Sequence, residues 1–346
     1  MIELGISTFG ETTPIEHTNE VLSHAQRITN LIEEIELADE VGLDIYAIGE
    51  HHRSDFAVSV PEMVLAAGAR NTKHIKLSSA TTNISTHDPI RVYQNFATLD
   101  AVSQGRAEVM VGRSSFTEGF ELFGYSLNNY QELFDEKLEM LLKINEHEIL
   151  DWQGKHTYTV NKKGVYPRVE GKKLPIWVAT GGNLESSVKI ARLGLPITYA
   201  IIGGDPMAFK ERVEIYKAVG HAQGFTDEQL KVAMHSWGYI ADTDKEAIDA
   251  YFHPTKMLVD AISRDRAHWR PLTKEQYLYE IQRGALFVGG PETVAKKIIK
   301  VMEALQMDRF MLHLPVGSMN HQDVLKAIRL FGEKVAPIVR KHFETK

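Results

Sequence analysis

The sequence predicts a (β/α)8 barrel, and three observations carry that prediction. Eight short runs rich in β-branched residues are spread along the 346 residues. Most are almost continuously apolar rather than alternating, as strands buried on both faces must be. Amphipathic helical stripes fall between them, the alternation expected of a parallel sheet covered by helices. A doubly wound open sheet is the rival architecture. The strand candidates are Ile2–Ser7, Asp44–Ile48, Ile75–Thr81, Ala107–Gly112, Pro175–Thr180, Pro196–Ile202, Lys231–Ile240 and Arg309–Leu314.

Taken in order, the first run is followed by Ile28, Leu31, Ile32, Ile35 and Ala38 on one helical stripe, with Gly42 as its stop. The gap from Arg113 to Leu174 is too long for one helix. It predicts an amphipathic helix over Asn128–Glu146, then a hairpin over His156–Tyr166 that turns at Asn161-Lys162-Lys163-Gly164. Leu184–Leu193 continues the fifth run as a helix. Thr226 with Gln229, and Thr243 with Glu246, have the spacing of capping boxes. The second long gap, Ala241 to Asp308, contains Phe252–Ala285, charged and aromatic without a clean period: a lid over the barrel mouth or a packed interface segment. Gly290-Pro291 suits a helix start, followed by the stripe Val294, Ile298, Val301 and Leu305. Val324, Ile328, Phe331, Val335 and Val339 form the last stripe. No repeat, low-complexity tract or linker interrupts this order, so residues 1–346 read as one barrel domain with insertions after the fourth and seventh strands.

Composition narrows the function. The chain is 43% hydrophobic and 25% charged, with no apolar run long enough to span a membrane. Thirty-nine Lys and Arg against 46 Asp and Glu give a net charge of −7, which disfavours nucleic acid and anionic membrane surfaces as partners. The absence of cysteine excludes disulfides, thiolate metal sites and thiol nucleophiles, and suits a reducing cytoplasm. The opening MIELGISTFGETTP lacks a basic stretch followed by an apolar one, so export is not expected.

On a barrel, chemistry sits at the C-terminal ends of the strands. Polar residues there are Glu50-His51-His52, Thr81-Thr82-Asn83, Arg113-Ser114-Ser115, Thr180-Gly181-Gly182-Asn183, His235 and His313. Adjacent histidines on an extended segment diverge, unlike a helical i, i+4 pair, so no metal site is expected from His51 and His52. His51 reads as a proton-handling residue or as a hydrogen-bonded loop histidine. The Gly181-Gly182 turn before a helix offers bare amides to a phosphate, or is only a tight connection; Arg113 offers a bidentate partner, or a rim salt bridge. Neither GxxxxGK[ST] nor a strand-borne GxGxxG is present, so a nucleotide triphosphatase and a Rossmann dehydrogenase are unsupported.

Four stretches then become informative together: ELADEVGLDIYAIGEHH, SSATTNISTHDPIRVYQNFATLDAVSQGRAEVMVGR, LPIWVATGGNLESSVKIARLG and LFVGGPETVAKKI. In this order they resemble the bacterial luciferase-like family of flavin-dependent monooxygenases, from Ile2 to about Arg340. The resemblance implies a (β/α)8 barrel, a homodimer, and reduced FMN in the barrel mouth, with a deazaflavin coenzyme in some relatives. By the same resemblance, Glu50-His51 is the acidic-histidine pair, with the histidine near the reactive edge of the flavin. Ala80-Thr81 is the non-proline cis peptide beneath the ring. Arg113, Thr180-Gly181-Gly182 and Ser186 hold the phosphate. Gly112 stands where the light-emitting enzymes carry a reactive cysteine, so light emission is not implied.

The resulting expectation is a two-component monooxygenase acting on a small organic substrate, with reduced FMN supplied by a separate flavin reductase. Hydride transfer without oxygen, on FMN or deazaflavin, is the first alternative. A flavin-binding relative without turnover and a metal-dependent barrel hydrolase are the others. Phe9, Phe116, Phe120, His235 and Trp237 are candidate pocket residues, each equally suited to the core.

Overall fold

Eight parallel strands close into a barrel in the computed structural model, which describes residues 2–16, 18–113, 116–265 and 269–344. They are β1 (Glu3–Thr8), β2 (Ile45–Ile48), β3 (Lys76–Ser79), β4 (Ala107–Gly112), β5 (Ile176–Thr180), β6 (Ile197–Ala200), β7 (Val232–Ile240) and β8 (Arg309–His313). Their order is β7-β8-β1-β2-β3-β4-β5-β6, and β6 pairs back to β7, which removes the open-sheet rival. Helices cover the outside because each strand's outward side chains are apolar and need a second layer. The helix His24–Glu40 starts where Ser23 accepts the Gln26 N–H, buries Leu31, Ile35 and Ala38, and ends at Gly42 with φ +73°.

The barrel interior changes character from bottom to top. At the N-terminal ends, buried Arg309 binds Glu3 and Glu108 and lies 4.1 Å from the Trp177 ring. Above it, Ile45, Met110, Trp177 and Met311 fill the axis. Towards the C-terminal ends the inward residues shrink to Ala47, Ala80, Ala179 and Ala200, and a cavity opens there.

Several expectations need correction. The third strand stops at Ser79, not Thr81: β3 pairs β4 only at Leu77 and Ser78, and pairing resumes at Thr82-Asn83 against Val111-Gly112. In between, the Ser79 hydroxyl donates to the Met110 carbonyl at 2.9 Å and accepts its N–H at 3.2 Å, so a side chain replaces ladder bonds. The hairpin pairs Ile149–Trp152 with Val160–Gly164, so Asn161–Gly164 is strand rather than turn. Its connection is organised by Glu136 on the helix Tyr130–Glu146, whose carboxylate accepts the N–H groups of Lys155, His156 and Thr157. Thr226 and Gln229 bond to each other and close a turn before β7 rather than starting a helix, whereas Thr243 does cap Glu246.

Phe252–Ala285 is largely regular. The helix Asp244–Asp265 runs through Pro254, burying Tyr251, Thr255, Leu258, Val259 and Ile262, and a second helix covers Lys274–Gln282. A helical period is therefore present, masked in the sequence by the proline and by polar atoms on Tyr251 and Thr255. Of this segment, residues 266–268 lie outside the described residues. Trp269 packs against Trp237 with ring centroids 6.0 Å apart, and Asp260 accepts the Leu272 N–H, fastening the connection between the two helices. An unanticipated short strand, Phe287–Gly289, extends the end of β7.

Candidate active site

A cavity of about 250 Å3 occupies the barrel mouth, lined among others by Phe9, His51, Ala80, Thr81, Arg113 and Thr180. It shares Arg113, Ala179 and Thr180 with an adjoining apolar groove of about 500 Å3 between the helices Tyr130–Glu146 and Leu184–Arg192. The residues expected around a phosphate converge at this junction. Arg113, at the end of β4, donates to Ser186 Oγ at 2.8 Å and to Gln131 Oε1 at 2.5 Å. Ser186 lies in the first turn of Leu184–Arg192, where the helix dipole favours an anion; its own amide is capped by Asn183 Oδ1, so its hydroxyl is the group it offers. Gly181 has open space beside it, and no atom would meet an added Cβ. Gly182 serves differently: its φ is +96°, an added Cβ would lie 2.5 Å from the Phe209 ring, and its N–H is bonded to Thr180 Oγ1. Its amide is thus spent on the turn, and glycine is required there by conformation and packing.

The Ala80–Thr81 peptide is cis. Thr81 also explains Gly112: a Cβ at 112 would lie 2.7 Å from Thr81 Oγ1, so the threonine fills the space a side chain at 112 would need.

His51, also on the cavity lining, follows β2 and is enclosed by aromatic rings, stacked on Phe56 and edge-on to Phe9 and Phe116. Burial pushes its pKa down to about 3 against the opposing charge of Glu50, so the imidazole is neutral at pH 7. Its Nδ1 is buried with no partner among the described residues, as is Thr198 Oγ1 on the cavity wall. Glu50 also borders the cavity, but its carboxylate is committed elsewhere: Oε2 accepts the Asn83 N–H and Oε1 accepts from His52 at 2.7 Å. Burial alone would raise this carboxyl; hydrogen bonds from His52 and the Asn83 N–H, with the nearby charge of His87, hold it at about 2.

Phe9 and His235 line the cavity, and Phe116 packs on His51, whereas Phe120 stacks on Tyr130 and Trp237 packs tilted against Trp269, neither being part of the lining. Ser114 and Ser115 lie outside the described residues. His235 bonds Ser7, while His313 is buried against Glu11 at 2.8 Å. Thr198 and Ala200 were not anticipated; their i, i+2 spacing on β6 places both on the inward face, a signal present once that strand is located.

Comparison with known proteins gives the family. The luciferase-like monooxygenase family matches residues 2–309. The chain belongs to that family. N-acetyl-S-alkylcysteine monooxygenase of Bacillus subtilis (strain 168) is 24% identical over 305 residues, covering 84% of this chain and 88% of that one. The fold is shared with the oxygenating constituent of 3,6-diketocamphane monooxygenase from the CAM plasmid of Pseudomonas putida, a type II Baeyer–Villiger monooxygenase in complex with FMN. That similarity has a TM-score of 0.78 at 21% identity, covering 97% of this chain and 98% of that one. An F420-dependent secondary alcohol dehydrogenase in complex with an F420-acetone adduct has a TM-score of 0.75 at 18% identity, covering 98% and 99%. This luciferase-like chain is therefore an enzyme of a flavin-dependent monooxygenase family, on a fold that it shares with that dehydrogenase. Among its described residues no helix is long and apolar enough to cross a membrane.

Proposed function

We propose that this luciferase-like enzyme is the oxygenating component of a two-component system that uses reduced FMN and dioxygen on a small organic substrate. The carrying observation is that one cavity joins an anion-binding corner, Arg113 with Ser186, to a buried neutral His51 across Ala80–Thr81. Flavin fits this donor set: an arginine and a helix start for phosphate, open space at Gly181, and two buried polar atoms, His51 Nδ1 and Thr198 Oγ1, without protein partners among the described residues. Reduced FMN, when bound, supplies the electrons that activate dioxygen.

The chain's own residues have separable tasks. Arg113, Ser186 and Gly181 bind the phosphate and orient the cofactor without taking part in chemistry. Ala80, Met110, Ala179 and Ala200 exclude water from the ring's surroundings. His51, neutral across the working pH range, holds or passes a proton at its imidazole nitrogens. Glu50 is a positioning residue, tying the segment after β2 to Asn83. Without a dinucleotide fingerprint in the sequence, a separate flavin reductase delivers the cofactor, in the cytoplasm, to what we take to be a homodimer, the commonest symmetric assembly.

The test separates binding from chemistry. Arg113→Ala weakens FMN binding by about 1.5–3 kcal/mol, the range for a charge-assisted hydrogen bond. His51→Ala leaves the dissociation constant within about threefold, under roughly 0.7 kcal/mol. In the same variant, oxygen-dependent turnover falls by about 10²-fold. Equal turnover in wild type and His51→Ala removes the histidine from the chemistry. Reoxidation of the reduced cofactor by substrate under strict anaerobiosis would instead assign hydride transfer.

A further inference from the structure

Behind the cavity wall, Glu50 collects two histidines from different parts of the chain. His52 Nε2 lies 2.7 Å from Glu50 Oε1, and His87 Nε2 lies 2.9 Å from the same oxygen without the alignment of a hydrogen bond. These three ligating atoms lie within 4.8 Å of one another, the one such three-residue group among the described residues. The surroundings are polar and under-satisfied. Thr82 Oγ1, Asn83 Oδ1, Ser85 Oγ and His87 Nε2 are all buried without hydrogen-bond partners among the described residues. The Asn83 side chain lies beside His52: an added Cβ at Gly119 would be 3.5 Å from Asn83 Nδ2 and 3.3 Å from His52 Cδ2. Phe123 covers the outside, edge-on to His52 at 5.1 Å, while the His87 side chain, 31% exposed, leaves a path from solvent.

We propose that Glu50, His52 and His87 form a binding site for a divalent late transition metal ion of the zinc class, adjoining the flavin cavity that Glu50 also borders. Two imidazole nitrogens and one carboxylate oxygen are the borderline ligands such ions select, and three protein ligands leave a fourth position for water. Tetrahedral bonds of about 2.0–2.1 Å need ligand atoms roughly 3.3 Å apart. The present contacts therefore have to open by about half an ångström, with the ion replacing the protons between them. His87, the more exposed of the two histidines, is the ligand with more room to adjust. The second shell is already in place, since Oε2 of Glu50 is fixed by the Asn83 N–H at 2.8 Å. An ion there cross-links the segment after β2, which carries His51, to the segment after β3, and so stabilises the folded chain by ligand linkage.

The experiment uses flavin-free full-length protein dialysed against chelator, titrated with Zn2+ by calorimetry and with Co2+ by visible ligand-field absorption. Wild type takes up one ion per chain, and Zn2+ raises its melting temperature. His52→Ala and His87→Ala each weaken uptake by at least about tenfold, the lower bound for disturbing a metal site's ligands. His221→Ala, at an exposed histidine paired with Asp227 far along the chain, leaves uptake unchanged. Should an alanine variant fail to fold, His87→Gln decides, since it keeps a polar N–H group beside Glu50 but has no imidazole. No stoichiometric uptake, or uptake undiminished in the His52 and His87 variants, overturns the site. Because flavin is absent throughout, neither result depends on the monooxygenase reading.

Discussion

Gly112 shows how a single residue is decided by its neighbour. Its Cβ position is already taken by Thr81, whose Oγ1 would be 2.7 Å away and, being β-branched, has little freedom to withdraw. Gly112→Ala is expected to cost about 1–3 kcal/mol as overpacking. Adding Thr81→Ala should return most of that loss, a coupling that a double-mutant cycle on thermal melting measures directly. His51 makes the second prediction at this scale. Its folded pKa, about 3, lies below the ordinary 6.5, so the unfolded chain takes up a proton first. The stability linked to neutral His51 is thus complete above about pH 6.5 and is lost as pH falls towards 3. Turnover should show no limb from His51 between about pH 5 and 8, and its ring resonances in histidine-labelled NMR should stay fixed there. A titration midpoint near 6.5 would mean that the imidazole is solvated and the enclosure wrong.

At the level of elements, the break between β3 and β4 is what gives the cavity its floor. The ladder leaves Met110 without a backbone partner on β3, though it still pairs Trp177 on β5, and Ser79 satisfies both its N–H and its carbonyl. Ser79→Ala leaves two buried backbone groups unpaired, and about 1–3 kcal/mol of stability should be lost for each. Hydrogen exchange provides the check: the Met110 amide should lose protection in the variant while the Val109 amide, bonded to the Pro175 carbonyl, keeps it. The insertion after the seventh strand has a related logic. Asp260 accepts the Leu272 N–H and pairs with Lys256, so one carboxylate holds the connection against its helix. A lid reading for the whole of Phe252–Ala285 is too broad, because two packed helices account for most of it.

For the molecule as a whole, barrel closure concentrates charge at its base. Arg309 on β8 meets Glu3 on β1 and Glu108 on β4, and Lys76 on β3 reaches both carboxylates, so two cations balance two anions. Burial would raise the Glu3 carboxyl, but Arg309 and Lys76 hold it at about 2. Arg309→Ala strands buried carboxylates and should cost about 3–5 kcal/mol, whereas an apolar replacement of the entire cluster should cost far less. The strands joined by this cluster lie at opposite ends of the chain, so we predict that calorimetric melting of wild type and variant shows one transition across residues 1–346. Separate transitions for the two halves would argue against one folding unit.

The sequence by itself was sufficient for the barrel, because strands buried on both faces leave continuous apolar runs and the helices between them leave stripes of period 3.6. It was also sufficient to nominate Arg113, Gly181 and His51, since residues following barrel strands share one mouth whatever their separation along the chain, while Ser186 came only from the family resemblance. It misplaced the hairpin because the turn is held by Glu136 from another helix, and it missed the helix through Pro254 because packing overrode local preference. The role of Glu50 was beyond its reach. Only the folded chain brings His87 to the same carboxylate oxygen as His52, and only three-dimensional packing puts Thr81 where a side chain at 112 would be. Patterns along one chain report which face a residue shows; which distant residue it meets is decided by the closure of the barrel.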